Sequence, residues 1–164
     1  MADSDYSSVT YSDIADLPNG FSLLFTTSDI YRAVPVVSGG NSPLANLVVL
    51  FDSYVLSHEA SGGVTTFTYD GIPLTYNGII DSLTSVAIVY NASESKISLY
   101  VGGELSSEAD YIKGAITGGD VKLQGTRIWN ISDLRIYKKA LSSGAIEYYH
   151  LDVEKSGLAL GRLG

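Results

Sequence analysis

Period-two patterning in two stretches, residues 85–90 and 96–101, constrains this chain more than any other feature. In Ser85-Val86-Ala87-Ile88-Val89-Tyr90 large apolar groups recur at 86, 88 and 90. Alternate side chains of a strand face one side of a sheet, so this stretch has one well-filled face. Asn91-Ala92-Ser93-Glu94-Ser95 follows as a polar turn. Lys96-Ile97-Ser98-Leu99-Tyr100-Val101 then alternates again, with Ile97, Leu99 and Val101 inward. Gly102-Gly103 suits a hairpin turn, after which Glu104-Leu105-Ser106-Ser107 runs back.

The same reading extends along the chain. Further strands are expected at Phe21–Thr27, Tyr31–Ser38, Leu47–Ser57, Val64–Tyr69, Val121–Gln124 and Arg127–Tyr137. Pro18-Asn19-Gly20, Gly39-Gly40-Asn41, Gly62-Gly63, Asp70-Gly71, Asn77-Gly78 and Gly118-Gly119 punctuate them. Short strands with regular turn signals predict an all-β sandwich or barrel. One short helix is expected over residues 142–150, with Ser142 as N-cap and Ile146 and Tyr149 on one face. With 164 residues, the chain reads as one domain able to bury a core without staples. Residues 20–153 form the expected sandwich, between an N-terminal arm (1–19) and a C-terminal tail (154–164).

Two stretches carry a resemblance. Val86–Gly103, an apolar strand ending in tyrosine, a polar turn and Ile-Ser-Leu-Tyr-Val-Gly-Gly, resembles a hairpin of the laminin-G-like concanavalin A superfamily. Ile131-Ser132-Asp133-Leu134-Arg135-Ile136-Tyr137-Lys138-Lys139-Ala140-Leu141-Ser142 resembles that family's closing segment, which a short helix follows. The order and spacing of the two stretches match as well. The resemblance implies a two-sheet antiparallel jelly roll with one short C-terminal helix. Ser132 stands where the family has its first Asp, Trp129 where it commonly has Gly, Gly102 where it has the turn Asp, and Ala145 where it usually has Glu. These departures weaken an acidic ion site at Asp133.

Charge excludes several partners. The formal net charge is −8, and the longest basic run is Lys138-Lys139, so the clustered cations that neutralise nucleic-acid phosphates are missing. An anionic membrane surface is disfavoured for the same reason. Leu47-Val48-Val49-Leu50-Phe51, the longest aliphatic-aromatic run, is far short of the roughly 20 residues of a membrane span. Met1-Ala2-Asp3-Ser4-Asp5 is acidic and does not read as a Sec-type signal peptide. With no cysteine in the chain, disulfides, thiolate metal sites and a Cys nucleophile are excluded.

Candidate chemistry is sparse. Glucanases of the superfamily carry Glu-x-Asp-x-x-Glu on one strand, where period two aligns the acids for hydrolysis. Glu104 and Glu108, or Glu147, Asp152 and Glu154, do not reproduce that spacing. A non-enzymatic chain is therefore expected. His58, at a strand end, and His150, near the helix end, read as structural. Asp52, Asp70, Asp81 and Asp120 are the acids open to calcium. No Asp-x-Asp cluster joins them, and Asp70-Gly71 reads first as a turn former; no cofactor is expected. Tyrosine supplies 12 aromatics beside 4 Phe and 1 Trp. Tyr90, Tyr100 and Tyr137 fall in strand frames that predict packing. Trp129 reads as core or, more sharply, as a sugar-stacking platform.

Two functions stand open. Superfamily sandwiches occur as accessory proteins of bacteriophage particles, which implies a structural or decoration protein of a virion, bound to other particle proteins or to copies of itself. The fold also permits a carbohydrate-binding module for host or matrix glycans. Leu158, Leu160 and Leu163 lie on a glycine-punctuated tail after the helix. Exposed leucines are unfavourable, so these three are expected to pack on a partner chain or to fold back over the sandwich.

Overall fold

The computed structural model describes residues 6–28, 48–50, 54–78, 80, 84–126 and 130–152. The strands are β1 (Tyr6–Ile14), β2 (Gly20–Ser28), β3 (Val48–Leu50), β4 (Tyr54–Ser61), β5 (Val64–Tyr69), β6 (Ile72–Tyr76), β7 (Thr84–Asn91), β8 (Lys96–Val101), β9 (Glu104–Asp110), β10 (Gly119–Thr126) and β11 (Asn130–Tyr137). They form a six-stranded sheet, β1-β10-β3-β4-β5-β6, and a five-stranded sheet, β11-β2-β7-β8-β9. Every described pairing is antiparallel. A helix, α1, spans residues 143–152.

Alternation explains both faces of the five-stranded sheet. Val86, Ile88, Tyr90, Ile97, Leu99 and Val101 enter the core between the sheets, facing Leu56, Phe67, Tyr69 and Leu74. The intervening positions of β7, Ala87 and Val89, are buried too, with Leu24 beneath Ile146 and Tyr149 of α1. Helix α1 thus covers the outer face of this sheet. Its entry is fixed by Ser142, whose Oγ accepts from the Ala145 amide at 3.2 Å, as expected of an N-cap. Ser22 on β2 holds the approach: its hydroxyl donates to Lys139 O and accepts from Leu141 N, each at 2.8 Å. The outer face of the six-stranded sheet differs, with Thr66, Thr68 and Thr75 half-buried or exposed.

Turn chemistry sets the registers. Gly62-Gly63, Asp70-Gly71 and Gly102-Gly103 all have positive φ, as two-residue hairpin turns matched to strand twist require. The Asn91 turn is held by its side chain, whose Oδ1 accepts from the Ser93 and Glu94 amides at 3.1 and 3.2 Å.

Several expectations need correction. The arm 1–19 contains β1, which pairs with β10 at the edge of the six-stranded sheet. Residues 47–57 do not make one strand. The polar pair Asp52-Ser53 separates two apolar runs, and β3 and β4 lie antiparallel, Val48 opposite Leu56. His58 does not end a strand but sits within β4 opposite Phe67. Strand β6 follows Asp70-Gly71 where none was expected; Pro73 suits its place at a sheet edge. The strand expected at Tyr31–Ser38, with Asp52, Asp81, Trp129 and the tail leucines Leu158, Leu160 and Leu163, lies outside the described residues.

Candidate functional site

One end of the sandwich gathers aromatic and charged groups from four separate segments. β4 begins there with Tyr54, and β5 ends there with Tyr69, followed by the Asp70-Gly71 turn. Tyr90 arrives on β7. The connection after β9 supplies Tyr111, Lys113 and Gly114. The connection is anchored beyond this point by a two-way backbone bridge between Leu17 and Ile116, at 2.8 and 3.0 Å.

The rings pack as an edge-to-face stack. Tyr111 stands 5.0 Å from Tyr90 and 5.6 Å from Tyr69, centroid to centroid, at steep angles. Tyr54 lies 6.0 Å from Tyr69. Such pairs add to the stabilisation that burial alone gives. The hydroxyls organise the end. Tyr90 donates to Gly114 O at 2.8 Å, and Tyr111 donates to Asp70 Oδ2 at 2.7 Å. Tyr69 Oη is buried and forms no hydrogen bond of good geometry, although the Tyr111 hydroxyl lies close beside it. Burial pushes the Tyr69 hydroxyl far above the ordinary tyrosine value, with Tyr111 and then Asp70 beside it adding to the rise. Tyr111 is raised too, first by burial and then by its bond to the Asp70 carboxylate.

The surface of this end is mixed, with Ile112 85% exposed between Tyr111 and Lys113. Asp70 is exposed on its turn, held in a left-handed conformation, φ 47°. Lys113 is exposed, with its ammonium 5.1 Å from the centroid of Tyr54, a cation–π distance. An ammonium donor over the Tyr54 ring and a carboxylate acceptor held by Tyr111 therefore share this end.

Of the residues singled out in the sequence, Asp70 and Tyr90 are placed here, and Asp70 is the turn former as well. Tyr90 is buried as expected, while Tyr137 is exposed at the end of β11. Tyr54, Tyr69, Tyr111 and Lys113 were missed. The tyrosine excess was their one signal, since nothing in the spacing shows that these segments meet. Asp120 is half-buried on β10. Among the described residues no group of three His, Asp or Glu is placed to hold a metal ion. No described helix is long and apolar enough to cross a membrane.

His150 and Ser85 also meet, with Nδ1 2.7 Å from Oγ. The pair has the reach of a base and a nucleophile, but Ser85 is only 3% exposed and lies under the helix that carries the histidine. The contact clamps the last turns of α1 to β7.

No family model matches the sequence, and no curated protein matches it. Solved structures do match in fold. A native heptameric SAP-like pentraxin from Limulus polyphemus superposes with TM-score 0.65 at 11% identity, over 87% of this chain and 75% of that one. The binding domain of botulinum neurotoxin DC in complex with SialylT superposes with TM-score 0.63 at 12% identity, over 90% of this chain and 42% of that one. The binding domain of Paraclostridial Mosquitocidal Protein 1 does so with TM-score 0.59 at 14% identity, over 88% and 40%. The chain spans about two fifths of the length of these toxin domains. At such identities the likeness speaks for fold alone, and the fold is an all-β, two-sheet antiparallel jelly-roll sandwich.

Proposed function

We propose that this chain is a non-catalytic, lectin-like recognition module that engages glycan hydroxyls at the Asp70 rim. One observation carries the reading: Asp70, Lys113 and the Tyr54 ring share one end of the sandwich on a buried tyrosine base. A carboxylate accepts from sugar hydroxyls, an ammonium donates to them, and a tyrosine ring offers an apolar face with a wet edge. A same-fold neurotoxin domain in complex with SialylT supports the class of ligand, not the place of the site. Trp129 stays a second stacking residue of this proposal. A glycan array on the purified chain tests it. Binding that Asp70→Asn and Lys113→Ala each abolish, with unchanged circular dichroism, is the expected result. A blank array, or binding indifferent to both changes, ends the reading.

A second reading is a structural or decoration protein of a bacteriophage particle, placed in the virion. It is supported by the resemblance of residues 86–103 and 131–142, and by large apolar side chains left exposed on both edges of the five-stranded sheet. In this reading Leu158, Leu160 and Leu163 pack on a neighbouring particle protein or copy. Deleting residues 156–164 separates the cases. Lost incorporation with unchanged melting supports the partner contact, and lost melting with normal incorporation favours self-packing.

A further inference from the structure

The edges of the five-stranded sheet are unlike each other. On the β9 edge, Leu105 is 54% exposed, and the exposed carboxylates Glu104 and Glu108 flank it. On the opposite edge β11 ends at Tyr137, 36% exposed, followed by exposed Lys138 and Lys139. Beside its exposed apolar side chain the β9 edge thus carries carboxylates, and the end of β11 carries two ammonium groups, with Asp133 four residues earlier on the same strand. Neighbouring charges that are already paired do not alter this. Asp110 is bound to Lys96 at 2.7 Å, and Arg135 faces Asp152 at 3.6 Å.

Charged side chains and bulges protect open sheet edges from pairing with other chains. Both devices are present, with register shifts in β9 pairing between Leu99 and Tyr100 and in β11 pairing between Ser132 and Arg135. Protection alone does not explain the signs. Two edges of like charge repel, whereas an acidic and a basic edge attract.

We infer that the β9 edge of one copy docks against the β11 edge of a second copy through side chains, head to tail. The sheet's own register supports the match. One cross-sheet row runs Tyr137, Ser22, Val89, Ser98, Glu108. The sheet is antiparallel with five strands, so β9 and β11 run in the same direction. A neighbour shifted sideways along the sheet therefore brings Glu108 level with Tyr137 and Lys138 of the next copy. The two patches differ, so the contact is heterologous and propagates to a ring or a filament. It uses none of the residues of the glycan reading and gives the assembly reading a specific contact.

Sedimentation velocity over a concentration series tests this. Wild-type chain associates. Glu108→Lys and Lys138→Glu each weaken association by about tenfold or more, as like charges meet. The double variant, or an equimolar mixture of the two single variants, restores it. Glu104→Lys repeats the first arm without disturbing the Ser98–Glu108 hydrogen bond, and circular dichroism verifies folding. A wild-type monomer at all concentrations overturns the inference. So does association that single reversals leave unchanged, or a double variant that fails to recover. An intact glycan array beside a monomeric chain would remove this contact alone.

Discussion

His150 closes over Gly103: a Cβ added at Gly103 would stand 3.1 Å from the His150 Cβ. The same imidazole reaches Ser85 Oγ at 2.7 Å, and Gly102 N donates to Ser85 O at 2.9 Å. Helix α1, strand β7 and the β8–β9 hairpin therefore meet at one side chain. The closing helix is fastened at its start by the Ser142 cap and near its end by this histidine.

Removing that fastening has a measurable cost. His150→Ala loses one hydrogen bond and its packing on the turn, and should destabilise by about 1 kcal/mol. Gly103→Ala should cost about 1–3 kcal/mol, because its φ of +84° strains any L side chain and the histidine blocks the added methyl. Urea denaturation measures both. Wild-type midpoints in either variant would show that the helix end is not held here.

Alkaline stability follows from the tyrosine stack. The Tyr69 and Tyr111 hydroxyls are both raised by burial, while an unfolded tyrosine titrates near about pH 10. The raised pKa favours the protonated native state, so this stabilisation is complete below the unfolded value. It is lost as pH climbs above about 10, where the unfolded chain releases protons that the native state retains. Denaturant midpoints should hold steady up to about pH 9 and then fall. Tyr69→Phe with Tyr111→Phe should flatten that fall. An equally steep fall in the double variant would assign it to other groups.

Tyr69 alone predicts an asymmetry. Its hydroxyl is buried without a hydrogen bond of good geometry, so Tyr69→Phe removes a poorly satisfied polar atom and keeps the ring contacts. The variant should be neutral or more stable. Tyr111→Phe breaks the bond to Asp70 and should lose about 1 kcal/mol. Thermal melts of the two variants at neutral pH check the ordering; the reverse order would refute it.

Much of the scaffold was legible because its signals are local. The alternation in 85–90 and 96–101 assigned Val86, Ile88, Tyr90, Ile97, Leu99 and Val101 to the core, and Ser142 marked the helix start. Strand β1 was not legible. An edge strand buries little, and Tyr-Ser-Ser-Val-Thr-Tyr-Ser-Asp-Ile offers few large apolar groups to read. The rim failed for another reason. Tyr54, Asp70, Tyr90 and Tyr111 come from distant segments, and the period of a strand reports its face but not which strand ends share one end of a sandwich.

Gly20 gives the sharpest test of the fold itself. Its φ is +102°, and an added Cβ would overlap the carbonyl oxygen of Tyr90, with Ala92 N at 3.2 Å. Backbone cannot swing aside as a side chain can. At this point β2 enters the sheet opposite Asn91, so any shift propagates to the Phe21 and Leu23 core positions. Gly20→Ala should cost about 3 kcal/mol or more. Gly62 is the control: its φ is also positive, +61°, but nothing lies within 4 Å of an added Cβ. Gly62→Ala carries only conformational strain, about 1–2 kcal/mol. Equal losses in the two variants would mean that the close approach of Gly20 to Tyr90 does not exist in solution.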